Sequence, residues 1–329
     1  MGLHFNRPPL QDADFPWGTG TLAQVVNDPD GFQPQLLVLA GEDWNNAQAL
    51  AASGLPVIQF VQGFRPLRPP LDRFLARAAL RITTSPQVAE ASLAHPLLNG
   101  PVHCVPNHLD PLVWQMAVRD ADAPGHSLIL GYKQPTLAAA TAQLLQARMP
   151  QQAVDLVLAP LARKLWLQRL AQSRVAIVLR QADEGFHLPA LEAMRLGVAV
   201  VTTDAIGNRW HCRDGQTARV VDAQAQNLAV AAEALVRDHD LRKHLVRGGA
   251  ALAATVGPLA EDQAWAQVLA HAGAPWSGPA RWPRRVAHDD EPAGLSDRRR
   301  PEMRLYYAAP RALQPPAAVL AALQGTALL

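Results

Sequence analysis

The feature that most constrains the fold of this chain is a repeated alternation between short apolar runs and longer amphipathic stretches. Runs such as LLVLAG (Leu36 to Gly41) and VIQFVQGF (Val57 to Phe64) have the length and composition of buried strands. Strands that are separated by helices of about 10–15 residues are typical of βαβ units, which build a parallel sheet. The chain is therefore predicted to fold as an α/β protein.

The alternation occurs in two blocks, because it stops over residues 106–127, which are rich in Pro, Asn, Asp and Gly. Strands are predicted at residues 36–41, 57–64, 81–85, 101–106, 127–132, 153–159, 175–180, 198–203 and 218–222. Helices are predicted at residues 42–53, 71–80, 161–172, 189–196, 225–237 and 239–254. Two more helices are predicted with one bound each: one begins at Pro86, and the other follows the strand at 127–132 and ends at about residue 148. We therefore predict an N-terminal unit (1–110), a linker (111–126), a second unit (127–273) and a tail (274–329).

The two ends of the chain are less regular than its middle. No clear strand precedes Leu36, so the first unit is predicted to be reduced, and GTGT (Gly18 to Thr21) is more typical of a plain turn than of a ligand-binding loop. The tail is rich in Pro and Arg, which is typical of a solvated segment. The alternative is that the tail crosses back and adds a strand (Met303 to Ala308) or a short helix (Ala317 to Leu323) to the first unit.

The composition excludes several classes of protein. A formal net charge of only +2 argues against a dedicated nucleic-acid binder. Cys104 and Cys212 have no metal-ligand spacing and are predicted to be reduced, buried thiols. The start of the chain has no apolar segment behind a basic end, and no apolar run reaches the ~18 residues that span a bilayer. We expect a cytoplasmic protein, a location that is compatible with peripheral contact at the inner face of a membrane; the oligomeric state is left open.

The segment that carries chemistry is EGFHLPALE, from Glu184 to Glu192. It joins the end of a predicted buried strand at Arg180 to a helix that opens with Pro189. Ligands bind at the carboxyl ends of parallel strands, where a helix N-terminus favours a phosphate and Gly185 allows a close backbone approach. Each carboxylate can accept a pair of sugar hydroxyls. Taken alone, the two acids are also explained as residues that favour a helix start.

The complete string favours the ligand-binding interpretation of the two acids over that of a simple helix start. EGFHLPALEAM, followed by RLGVAVV, resembles the E-G-F-x-L-P-x-L-E-A-M and x-x-G-x-P-V-V signature of glycosyltransferase family 4, the large retaining family. VPNHLD (Val105 to Asp110) resembles the family's V-P-N-G-V-D linker, with His108 in place of Gly; LILGYK and DGQTARVV resemble two further segments. The resemblance covers about residues 55–255. It implies the GT-B fold, in which two Rossmann-like domains face each other across a cleft.

The resemblance also implies a donor site on the second unit. Glu184 would contact the transferred sugar, Glu192 would hold the ribose hydroxyls, and backbone N–H groups from His187 to Ala190 would meet the diphosphate. The remaining residues that this resemblance assigns to donor binding are Gly131, Gly185, Phe186, Leu188 and Pro189.

Cations near this site would stabilise the negative charge of the departing nucleoside diphosphate. Tyr132 stands where the family has an arginine, so Lys133 is the nearest cation, and Arg180 is a second candidate. The other interpretation of Lys133 is an ordinary solvent-exposed lysine.

The first unit departs from the family pattern. Gln62 occupies the place of a histidine that many members carry; a glutamine can donate a hydrogen bond but cannot act as a base. The string FVQGFRP resembles the F-V-Q-D-F-E-P of rhamnosyltransferase-like members. The D-x-D sequences at residues 12–14 and 120–122 do not follow clear strands and are predicted to be solvated, so neither a metal ion nor a cofactor is expected.

These features predict a metal-independent hexosyl- or deoxyhexosyltransferase that moves a sugar from a nucleotide-diphosphate sugar to a glycan or a lipid-linked saccharide. Its partners would be the nucleotide-sugar donor and the saccharide acceptor. A first alternative is a catalytically impaired scaffold subunit, which Gln62, Tyr132 and the short first unit motivate. A second alternative is a nucleotide-sugar epimerase on the same fold.

Overall fold

The computed structural model describes residues 36–45, 47, 54–181 and 183–273, together with the backbone of residues 2–3 and 24–25. In the last helix, the side chains of residues 258 and 270–273 are not described. Most of the helix predicted at 42–53, the GTGT sequence, the acids at 12–14 and the whole tail (274–329) lie outside the described residues.

The first unit contains a sheet of four parallel strands. Two short parallel strands, β1 (Gly2–Leu3) and β2 (Gln24–Val25), form a separate sheet, so the prediction that no strand precedes residue 36 is wrong. The main sheet has the order β3 (Leu37–Ala40), β4 (Val57–Val61), β5 (Leu80–Thr83) and β6 (Val102–Cys104). Helix α1 (Pro86–Ala94) begins where it was predicted, because Pro86 suits the first turn and Ser85 Oγ accepts a hydrogen bond from the backbone N of Val88.

One predicted helix of this unit is mostly absent. Residues 71–80 contain only a 3-10 helix, Asp72–Ala76, and the backbone is extended at Arg77. The cause lies in the next strand, where the buried Arg81 guanidinium donates to the carbonyl oxygens of Leu75 (2.9 Å) and Arg77 (2.6 Å). A helix that continued to residue 80 would need the Leu75 carbonyl oxygen for a hydrogen bond from the N–H group of residue 79, which instead donates to Asn99.

The second unit is a five-stranded parallel sheet with helices on both faces, as predicted. A short, unpredicted helix, α2 (Pro111–Gln115), precedes it in the linker. The strands are β7 (His126–Leu130), β8 (Val154–Val157), β9 (Ser173–Val178), β10 (Ala199–Thr203) and β11 (Arg219–Val221). The helices are α3 (Pro135–Arg148), α4 (Arg163–Gln172), α5 (Leu188–Arg195), α6 (Ala225–Arg237) and α7 (His239–Ala253). The strand order β11-β10-β9-β7-β8 reverses between β7 and β9, which is the topological switch point where ligands bind in open α/β sheets.

The last described helix returns to the first unit. Helix α8 (Pro258–Gly273) was not predicted, and its residues were assigned to the second unit from the sequence; in the structure, Ala264, Trp265 and Val268 pack with Ile58 and other residues of the first sheet. Such a crossing was considered from the sequence for the tail; within the described residues, α8 makes it.

This packing gives a direct prediction. Val268 is buried in the first-unit core, so Val268→Ala should lower the free energy of unfolding by about 2 kcal/mol through lost burial and the cavity left behind. Denaturant titration would measure the loss. Leu269→Ala is the matched control, because Leu269 is exposed on the same helix and should change stability little. Equal effects of the two substitutions would contradict the packing of α8.

Candidate functional site

The site forms where β7 and β9 end, on the two sides of the switch point. Lys133, just after β7, forms an ion pair with Glu184, which lies in the loop after β9. The Glu184 side chain is 19% exposed. Its Oε1 atom meets Lys133 Nζ, whereas Oε2 is buried and has no hydrogen-bond partner among the described residues. The carboxylate therefore has a free acceptor atom at the edge of the sheet.

Three glycines bring three loops together beside Glu184. Gly185 lies against the first unit, because a Cβ at this position would overlap the carbonyl oxygen of Gln62 and approach Gly63. A Cβ at Gly207, which follows β10, would overlap the backbone of residues 184 and 185. We call Gly63, Gly185 and Gly207 the glycine stack. The close approach of a ligand to Gly185 stays a prediction; the backbone that approaches Gly185 in the structure is the protein's own.

Two further contacts join the units around this loop. Arg68 of the first unit pairs with Asp183 at 2.8 Å, one residue before Glu184. Ile206, beside the glycine stack, is fully buried with Val61, Phe64 and other first-unit residues. The loop that carries Glu184 is thus held from both sides of the cleft.

The helix that follows this loop has a first turn without a side-chain cap. His187 occupies the N-cap position of α5 and its side chain accepts no hydrogen bond from the helix. A helix start has backbone N–H groups that need partners and a partial positive charge. The start of α5 is therefore suited to an anion.

Arg180 supplies a full positive charge beside this helix start. The side chain is 1% exposed, and its Nε and both terminal nitrogens have no hydrogen-bond partner among the described residues. Burial lowers the pKa of Arg180, and nearby acids, including Glu184, offset only part of that effect. A buried guanidinium without partners costs free energy, which an anionic ligand can offset.

Two buried histidines flank Arg180. Burial, followed by repulsion from Arg180, lowers the pKa of both His187 and His211 well below the usual value. The ring of His211 packs against Phe186 at 5.6 Å and Trp210 at 5.1 Å between centroids. Burial, and after it the charge of Arg180, hold the two imidazoles neutral.

The neutral histidines predict a pH-dependent stability. Their folded-state pKa lies below the unfolded value of 6.5, so in the interval between the two the unfolded chain binds more protons. The free energy of unfolding should fall as the pH drops below ~6.5, by up to ~1.4 kcal/mol per pH unit for each histidine. Denaturant titrations from about pH 7 to about pH 5 would measure this slope. His211→Asn should reduce the slope, and substitution of the exposed His244 should not; an unchanged slope in His211→Asn would contradict the assignment.

Glu192 lies in a different environment from Glu184. It is 1% exposed, and both of its oxygens are occupied. Oε1 pairs with Arg163 NH1 at 2.7 Å, and Oε2 accepts from Trp166 Nε1 at 2.7 Å. A ribose could reach this carboxylate only after one of these partners has moved.

The other predicted residues occupy supporting positions. Gly131 makes room for α3, because a Cβ there would overlap the side chain of Ala138. The side chain of Gln62 is exposed, and the backbone carbonyl oxygen of Gln62 accepts from Thr84 Oγ1 at 3.1 Å. Phe186 and Leu188 pack on the second-unit core, and Pro189 lies in the first turn of α5.

The structure thus brings Lys133, Arg180 and Glu184 to one edge, while Glu192, on α5 itself, is buried against Arg163 and Trp166 of α4. Sequence reasoning missed Arg68, Arg163 and His211. His211 lies in the connection that follows β10, so the rule that ligands bind at the carboxyl ends of strands could have pointed to it. Arg163 and Trp166 are three residues apart on α4 and share a helix face, but nothing in the sequence paired them with Glu192.

Three absences concern only the described part of the chain. It contains no group of three or more His, Cys, Asp or Glu side chains arranged to hold a metal ion. It also has no helix with the length and apolarity needed to cross a bilayer. Cys104 and Cys212 are free and buried, and burial raises the pKa of each thiol to about 12.

Comparison with known proteins agrees with this geometry. Residues 156–251, which include Glu184, Glu192 and α5, match the family of glycosyl transferases group 1. The matched residues lie within the second unit. A search of curated proteins found no match.

Solved structures extend the likeness to both units. Sucrose-phosphate synthase (tll1590) from Thermosynechococcus elongatus matches with a TM-score of 0.57 and 18% identity, over 74% of this chain and 75% of that one. Anabaena Alr3699/HepE in complex with UDP-glucose matches at 0.54 and 16%, over 71% and 78%. The α,α-trehalose 6-phosphate synthase from Burkholderia multivorans matches at 0.56 and 14%, over 78% and 74%. At these identities the likeness shows the fold, and the predicted GT-B architecture is confirmed.

Proposed function

We propose that this protein is a glycosyltransferase that transfers a sugar from a nucleoside-diphosphate sugar to a saccharide acceptor, either a glycan or a lipid-linked saccharide. The observation that carries the proposal is the buried guanidinium of Arg180, next to the start of α5, which has no side-chain cap, and to Oε2 of Glu184. Neither the guanidinium nor Oε2 has a hydrogen-bond partner in the described part of the chain. An anion with hydroxyl groups attached satisfies all three at once. A diphosphate that bears a sugar has this chemistry.

Each group then has a role in the reaction. The bond between the sugar and the diphosphate breaks, and negative charge grows on the departing phosphate. Arg180 and the N–H groups of α5 stabilise this charge, which is the kind of electrostatic assistance that contributes most to many enzymes. Lys133 can leave Glu184 for the phosphate, which frees the carboxylate to accept hydroxyl groups of the transferred sugar. Neutralisation by these cations requires no metal ion.

The contacts between the units support a closed arrangement during transfer. Arg68 and Asp183, together with the glycine stack, hold the loop of Glu184 against the first unit. Closure excludes water and so limits hydrolysis of the donor. In this proposal the first unit, which presents Gln62, binds the acceptor, and Glu192 receives the ribose. UDP-glucose in the Anabaena neighbour supports a nucleotide-sugar donor of this class.

The first test is thermal stabilisation by UDP, ADP, GDP, dTDP, their sugar conjugates and inorganic diphosphate, because a ligand that binds only the folded state raises the midpoint. We expect at least one nucleoside diphosphate and its sugar conjugate to raise it. If no compound of the panel raises it at millimolar concentration, the proposal fails. dTDP-rhamnose tests the deoxyhexosyl version against the hexosyl one.

Turnover separates the enzyme from its alternatives. Release of nucleoside diphosphate that depends on an added saccharide supports a transferase. Binding without any turnover would favour the scaffold subunit, which the exposed Gln62 side chain and Tyr132 at the arginine position motivate. Conversion of the donor without an acceptor would indicate an epimerase.

A further inference from the structure

We propose that Arg163 acts as a competitor of the donor's ribose for Glu192, and that it yields this carboxylate by staying bound to Asp110, just before the linker. This inference rests on the proposed function, because it concerns how the same donor site admits the nucleoside. It names Arg163 and Asp110 as residues that set donor affinity.

The starting point is the state of Glu192 in the free protein. A ribose presents two adjacent hydroxyl groups and needs carboxylate oxygens that can accept from them. Glu192 is 1% exposed, and its two oxygens already bind Arg163 NH1 and Trp166 Nε1. The carboxylate has the right chemistry for the ribose but is inaccessible until a partner moves.

Arg163 is the partner that can move. Its side chain is 26% exposed, whereas Trp166 is buried in the core of the unit. Its Nε atom also donates to Asp110 Oδ2 at 3.0 Å, so one guanidinium bridges two carboxylates. When NH1 leaves Glu192, the positive charge still has an anionic partner, and the cost of the movement is small compared with that of an unpaired charge.

Two further observations indicate that the Arg163 guanidinium is held in place by the carboxylates of Glu192 and Asp110. Arg163 is the first residue of α4, where the helix dipole disfavours a positive charge. Burial alone would lower the pKa of Arg163, but Glu192 and Asp110 outweigh burial and raise it. The position of the guanidinium is therefore set by the balance between the two acids.

Asp110 connects this balance to the linker. Its second oxygen, Oδ1, accepts from the backbone N of Leu112 at 2.8 Å and caps α2. When the ribose replaces NH1 on Glu192, Arg163 is left with Asp110 as its carboxylate partner, at the point where the chain passes between the units. Donor binding and the linker are thereby coupled through one side chain.

The test uses two substitutions with opposite expected effects. Asp110→Asn keeps the helix cap but removes the competing charge, so Arg163 binds Glu192 more firmly. We expect nucleoside diphosphate to bind about tenfold more weakly, and inorganic diphosphate, which has no ribose, to bind as before. Arg163→Met removes the competitor, so nucleoside diphosphate should bind about tenfold more tightly, again without a change for inorganic diphosphate. Calorimetric titration with the nucleoside diphosphate that stabilises the protein most would measure both.

Asp155→Asn is the matched control. Asp155 pairs at 2.8 Å with Arg169, which lies on the same helix as Arg163, and this ion pair does not involve Glu192. The substitution should change neither affinity. If Arg163→Met does not fold, Asp110→Asn still tests the inference, because the Asp110 side chain is partly exposed and asparagine retains the cap of α2. Equal affinities of wild type and Asp110→Asn for nucleoside diphosphate, while the wild type binds both ligands, would overturn this inference and leave the proposed function standing. Failure of the wild type to bind either ligand would overturn both.

Discussion

Replacement of Arg180 with methionine is expected to stabilise the unliganded protein and to weaken diphosphate binding at the same time. The guanidinium is 1% exposed and has no hydrogen-bond partner among the described residues. An apolar side chain of similar length removes the cost of the buried charge, so the free energy of unfolding should rise by about 1–4 kcal/mol. Affinity for the nucleoside diphosphate should fall about 10- to 100-fold, the loss expected for a hydrogen bond to a charged group.

Arg81 provides the matched control, because it is an equally buried arginine with partners. Its guanidinium donates to the carbonyl oxygens of Phe74, Leu75, Ala79 and Arg77. Arg81→Met removes the donor that these four carbonyl oxygens share and should lower the free energy of unfolding by about 2 kcal/mol or more. Denaturant titration and calorimetry of both variants measure the contrast. If Arg180→Met also destabilises the unliganded protein, the guanidinium has a structural partner and the phosphate role is wrong.

Glu184→Gln should reduce glycosyl transfer by roughly a hundredfold or more while it leaves binding of the sugar-free nucleoside diphosphate nearly unchanged. Glutamine has the same size but lacks the charge that pairs with Lys133 and that accepts from the transferred sugar. A loss confined to the sugar-dependent step separates this acid from a group that only holds the fold. Steady-state transfer rates and nucleotide titration give the two readouts.

Glu233→Gln is the control for this substitution. Glu233 is a largely buried carboxylate that pairs with Arg148 at 2.5 Å and Arg237 at 2.9 Å on the far side of the second unit. Its replacement should affect stability and leave transfer per folded molecule unchanged. Full activity in Glu184→Gln would show that the free oxygen of Glu184 has no part in the reaction.

Much of the second unit was predictable because its helices and strands are marked by residues that are close together in the sequence. Apolar strand runs, Pro at helix starts and Gly197 after α5 mark boundaries within a few residues of those observed. The proximity of Lys133 and Glu184 also follows from sequence, since both come directly after strands that end at the same edge. Periodicity, spacing and the carboxyl-end rule were sufficient there.

The features that were not predicted correctly all depend on contacts between residues that are far apart in the sequence. Arg81 donates to the Leu75 carbonyl oxygen, which a helix at 71–80 would need, and no local sequence pattern predicts this contact. The capture of Glu192 by Arg163 and Trp166 depends on the packing of α4 against α5. The path of α8 depends on an apolar surface of the first sheet, which the sequence of the helix alone does not identify.

The return of α8 to the first sheet means that the chain passes between the two units twice, first through the linker and again near Gly257. A body that is tethered at two points can turn only about the line that joins them. Opening of the cleft should therefore follow one axis, without sliding or twisting of the units. His108 and Glu261 bind each other beside these two passages, so we expect them to lie close to the axis and to move less than the edge that carries Glu184.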